Sequence, residues 1–84
     1  MKAITEQEPI SIDSLRQIAT ERFGDMIKTV VDVARGIMII DADLHSDEEA
    51  ELLTTGSNQQ DLWGINLYPE LSPEDWLEFD SMIN

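Results

Sequence analysis

There is no cysteine anywhere in this chain. That removes disulfides and thiolate chemistry and makes a cytoplasmic setting the expectation. No apolar run approaches the roughly 20 residues that cross a bilayer. The first residues, Met1-Lys2-Ala3-Ile4-Thr5-Glu6, carry no apolar segment of a secretory signal. Positive charge is scarce and confined. Lys2, Arg16, Arg22, Lys28 and Arg35 are the only basic residues, and they face six acids over the first 35 positions. From Gly36 onwards there are twelve Asp and Glu and no Lys or Arg, which brings the net charge to −13. Such a half repels phosphate backbones and anionic membranes, so neither direct nucleic-acid binding nor membrane association is expected. It suits a basic protein, a divalent cation, or solubility alone.

What is present is enough apolar sequence, 42% over 84 residues, for one modest core and one domain, residues 1–84. The organising stretch is Met26–His45, read as two strands joined by a two-residue turn at Arg35-Gly36. That turn would place Asp32 opposite Ile39, Val31 opposite Ile40 and Lys28 opposite Asp43. Because alternate residues share a face, Ile27, Thr29, Val31, Val33, Met38, Ile40, Ala42 and Leu44 fall on one side. Lys28, Val30, Asp32, Ala34, Ile37, Ile39, Asp41 and Asp43 fall on the other. Arg is not the residue that such a turn favours before its Gly.

Residues 1–9 read as a loose lead-in. Ser11 is placed to cap a helix over about 12–23, with Ile12, Leu15, Ile18, Ala19 and Phe23 as its apolar stripe and Gly24 as its stop. Ser46-Asp47-Glu48-Glu49 has the capping-box spacing, so a helix is expected over about 47–55, ending at Gly56. Leu62–Tyr68 reads as a third strand, with Trp63, Ile65 and Leu67 on one side and Gly64, Asn66 and Tyr68 on the other. Ser72-Pro73-Glu74-Asp75 starts a short helix. Phe79–Ile83 is a fourth strand. The expected fold is α+β: a mainly antiparallel four-stranded sheet, an N-terminal helix on one face, and one or two short helices.

The sharpest chemical constellation is Asp41-x-Asp43-x-His45. On an extended strand Asp41 and His45 lie roughly 13 Å apart, too far to share one ion, and Lys28 competes for Asp43. Asp47, Glu48 and Glu49 are accounted for as acids beside a helix N-terminus. His45 is the only histidine; at a strand end it reads more readily as a hydrogen-bonding partner than as a catalyst. Trp63 and Trp76 lie on apolar stripes and read as core. No metal, cofactor or catalytic residue is therefore expected. Asn66 and Tyr68, beside Gly64 and the Ser57–Asp61 loop, form the most plausible small-ligand surface, set against an ordinary solvated strand face.

Gln60-Asp61-Leu62-Trp63-Gly64-Ile65-Asn66-Leu67-Tyr68-Pro69 resembles the signature segment of a family of short bacterial proteins, common in cyanobacteria and known as a domain of unknown function. Glu8-Pro9-Ile10-Ser11, Val30-Val31-Asp32-Val33, Leu44–Glu49 and Phe79–Asn84 resemble it too, so the likeness covers nearly the whole chain. It implies no activity. The family pattern continues beyond the equivalent of Asn84 through an Ile-Arg-Pro stretch with more basic residues, so a truncated or naturally short form is expected.

These features favour a non-enzymatic protein-interaction or regulatory module with a basic protein as partner. The alternative is a metal- or small-ligand-binding enzyme using Asp43 and His45. A homodimer is also expected: Val30, Ile37 and Ile39 make an apolar patch on a face that is ordinarily solvated, and such patches mark interfaces. Coverage of that patch by the second helix, through Leu52 and Leu53, is the competing arrangement.

Overall fold

The computed structural model describes residues 1–22 and 24–71, together with the backbone of 77–82. In chain order the elements are β1 (Lys2–Ile4), α1 (Ile12–Arg22), β2 (Ile27–Asp32), β3 (Ile37–Ile40), α2 (His45–Thr54), a 3-10 turn at Gln59–Asp61, β4 (Leu62–Leu67) and β5 (Leu77–Met82). The strands form one sheet in the order β1-β3-β2-β4-β5, and every neighbouring pair is antiparallel. The α+β class is the expected one. The sheet gains a fifth strand, β1, from residues that read as a loose lead-in. Only Ile4 of its three residues is buried, while Lys2 and Ala3 are exposed, so no alternation was there to be read. The expected short helix after Ser72, together with Phe23, Ile83 and Asn84, lies outside the described residues.

Helix α1 forms as its punctuation demands. The Ser11 hydroxyl accepts a hydrogen bond from the Ser14 amide at 3.1 Å, which satisfies one orphan donor of the first turn. At the other end Gly24 has φ +93, and its N–H donates to the Ala19 carbonyl at 2.7 Å. Ala19 is fully buried against Ile4, Ile27 and Ile40, with Ile10, Leu15 and Ile18 packed around them. Arg16 fastens the same helix to the end of β4 through the Pro69 carbonyl, at 3.3 Å.

The hairpin departs from the expected register. Asp32 pairs with Ile37, Val31 with Met38 and Val30 with Ile39, so the connection is the four residues Val33–Gly36 and not a two-residue turn. Asp32 causes this. Its Oδ1 accepts the amides of Ala34 and Arg35 at 2.9 and 3.0 Å, and its carbonyl accepts the Gly36 N–H at 3.0 Å. Gly36, at φ +66, turns the chain back into β3. The Arg35 guanidinium then reaches Ser57 at 2.8 Å and ties the loop to the end of α2. A slip of two residues alters every partner but keeps the faces of the paired residues, because side chains alternate with period two. Val33 and Leu44, expected on the buried face, lie outside the strands and are exposed. The expected Lys28–Asp43 pair does not form: β3 ends at Ile40, and Lys28 lies opposite Asn66 of β4.

The face carrying Val30 and Ile39 is covered by α2. Leu52 packs there with Val30, Ile39 and Leu62, all almost wholly buried, and Ile37 lies at the margin. Val30, Ile37 and Ile39 are thus an intrachain core, and the patch that motivated a homodimer is not on the surface. Helix α2 stops where expected, with Gly56 at φ +109 and the Ser57 N–H bonded to the Leu52 carbonyl at 3.0 Å. It begins two residues earlier than the capping-box reading placed it. Leu44 stands at the N-cap position and provides no side-chain cap.

In urea titrations Leu52→Ala should lower the unfolding free energy by about 2–5 kcal/mol, whereas Leu53→Ala, at an exposed position, should move it by no more than about 0.5 kcal/mol. Asp32→Ala leaves two turn amides without their acceptor and should cost about 1–3 kcal/mol in the same measurement.

Candidate functional site

Beyond Ile40 the chain does not continue as a strand. Asp41 has φ +67, a left-handed conformation that is uncommon for a residue with a side chain, and it bends the backbone out of the sheet. The connection Asp41–Leu44 then leads into α2. Arg22, in the last turn of α1, reaches across to it. Its Nε donates to Asp41 Oδ1 at 2.7 Å, Nη1 to Asp43 Oδ1 at 2.5 Å, and Nη2 to the Asp41 carbonyl at 3.1 Å. A planar guanidinium suits this three-point grip, and the two carboxylates push its pKa above the ordinary arginine value. The side chain of Asp43 remains largely open to water.

Around this clasp is a cleft of about 490 Å³, lined by Met1, Arg22, Asp41, Asp43, Asp47 and Glu51 among others. Four acids outnumber the positive groups there, Arg22 and the chain start at Met1, and leave it net anionic. The structure therefore brings Asp41 and Asp43 together on a cation from the first helix, and not along the face of a continuing strand. His45 goes elsewhere. As the first residue of α2 it points to β4, where its Nε2 lies 2.9 Å from the Ile65 carbonyl. A carbonyl can only accept, so Nε2 carries the proton and is closed to metal coordination through that atom. Among the described residues, no group of three or more His, Cys, Asp or Glu is arranged to hold a metal ion.

The proposed ligand surface on β4 is also placed differently from the expectation of a solvated strand face. Asn66 and Gly64 are buried, and Asn66 lies on the side that α2 covers, while Tyr68 is half-buried beyond the strand end. Asn66 and Tyr68 do not join Asp41 and Asp43 in one cleft.

Sequence reading missed two residues here. Arg22 was legible only as a basic residue in a last turn. Glu48, which reads as one of the acids beside the helix N-terminus, is fully buried, and neither side-chain oxygen makes a hydrogen bond of good geometry. Its spacing from Leu52, one helical turn, was the available signal. Burial raises its pKa from 4.5 to about 8, with Asp41 and Asp47 pushing the same way; the Ala42 amide and the Met1 ammonium oppose them. Asp32 contrasts with it. Burial, the largest single influence, pushes that carboxyl up, but the Ser57 hydroxyl and the Arg35 and Ala34 amides outweigh it and hold the pKa low.

The sign of the Glu48 effect is fixed by those values. A folded-state pKa above the unfolded one means that the folded chain holds a proton which the unfolded chain releases. The stability gained is complete below about 4.5 and disappears as pH rises through about 8. The unfolding free energy should fall by a few kcal/mol across that window, at about 1.4 kcal/mol per pH unit. Glu48→Gln should remove most of the slope, as denaturant melts at a series of pH values will show.

No described helix is long and apolar enough to cross a membrane. No curated protein and no solved structure matches the chain. A family described as "Protein of unknown function (DUF5674)" matches residues 4–84, almost the whole sequence, and the chain belongs to it.

Proposed function

We propose that this chain is a non-enzymatic interaction or regulatory module whose acidic cleft receives a basic surface of another protein. The observation that carries the reading is the charge layout of the cleft: Asp41, Asp43, Asp47 and Glu51 line it, with Arg22 and the chain start at Met1 as the positive groups beside them. The sequence from Gly36 onwards adds no basic residue to offset them. Surfaces of one sign raise association rates with oppositely charged partners and discriminate against like-charged ones. The enzyme reading built on Asp43 and His45 has less support, because Asp43 is engaged by Arg22 and His45 by the Ile65 carbonyl.

Fluorescence anisotropy with an arginine-rich peptide, beside a glutamate-rich control, tests this. The basic peptide should bind and weaken as salt is added. A combined Asp43→Asn, Asp47→Asn, Glu51→Gln variant should lose about tenfold in affinity. Failure to bind at low salt, or binding unaffected by the combined variant, would overturn the proposal.

A further inference from the structure

Glu48 sits on the inward stripe of α2, one turn before Leu52, and has no access to water. Groups from each neighbouring element face it. The β3–α2 connection contributes the Ala42 amide and the Asp41 carboxylate; α2 itself contributes Asp47; the chain start ahead of β1 contributes the Met1 ammonium. On β2, the charged residue of the covered face at this end is Lys28, opposite Asn66. Arg22 and Asp43 hold each other on the outer side of the connection. An ionised Glu48 would thus lie dry, without properly formed hydrogen bonds, and beside two like charges.

The turn above it is lightly fastened. Leu44 leaves the helix start without a side-chain cap, and Asp41 stands in a left-handed conformation. Among the described residues, the His45 bond to Ile65 and the Arg22 grip on Asp41 and Asp43 hold this turn. The far end of α2 is held independently, by Leu52 in the core, by the Ser57–Leu52 bond and by Arg35 on Ser57. Hydrating a buried charge is cheapest where the least structure must move.

We propose that Glu48 is a proton-operated latch: its neutral carboxyl keeps the first turn of α2 seated on the sheet, and loss of the proton releases that turn and the Asp41–Leu44 connection into water. The rest of α2 stays docked. The opening enlarges the acidic cleft and adds a charge to it. This latch does not depend on the identity of any partner.

Amide hydrogen exchange by NMR, expressed as protection relative to the unfolded chain, reads the latch directly. Protection of residues 42–48 should drop about tenfold or more between pH values well below and well above about 8, while residues 52–57 hold theirs. In Glu48→Gln the same segment should stay protected at both. Constant protection in the wild type would overturn the proposal. So would an equal drop in Glu48→Gln, which would assign the effect to a group other than Glu48. Should that variant fail to fold, a carbon-13 titration of the Glu48 carboxyl in the wild type decides. A midpoint near 8 shared with the amides of 42–48 supports the latch, and an ordinary glutamate midpoint ends it.

Discussion

Strand β2 carries buried apolar side chains on both sides, Ile27 on one and Val30 on the other, and the whole arrangement follows from keeping both from water. Ile27 needs the cover of α1, and Val30 needs that of α2. A sheet this small cannot leave either face wet without losing a large part of the apolar burial that opposes chain entropy. The two helices therefore sit on opposite faces and not in one layer. That placement in turn directs the chain from the end of β3 onto the face that α2 covers, and the acidic connection Asp41–Leu44 is the segment that makes the passage.

Much of this was legible in local chemistry. Ser11, Gly24 and Gly56 act where such residues ordinarily act, and the division of the hairpin into two faces holds for the residues that pair in β2 and β3. Register was less legible, because one side chain decided it. Asp32 can satisfy two turn amides at once, and that local gain outweighs the preference of Arg35-Gly36 for a tight reversal. β1 escaped notice because three residues with one inward side chain carry no periodicity. The Ser46–Glu49 spacing misled in the opposite way: a motif was present, but the helix begins ahead of it, at His45.

The candidate site shows why neighbours in sequence need not be neighbours in function. Asp41, Asp43 and His45 look like one ladder only if the strand continues through them. Once Asp41 takes its left-handed conformation, the alternation is lost, and the acids turn to α1 while the imidazole turns to β4. The residue that gathers the acids, Arg22, is 19 positions before the first of them. Contacts of that separation depend on tertiary packing, and no single-chain pattern announces them.

The three-residue strand β1 also has a protective role. Among the described residues it is the strand that lies along the outer side of β3, whose four residues are Ile37, Met38, Ile39 and Ile40. Short edge strands bearing a lysine, as β1 does at Lys2, are a common guard against edge-to-edge stacking. Clipping the chain ahead of α1 would unsheathe a row of unpaired amides on a strand of high β-propensity with no charge and no proline. It would also withdraw Ile4 from the core. The shortened protein would then be a template for cross-β growth, so its solubility hangs on a handful of residues that contribute little to the fold's mass.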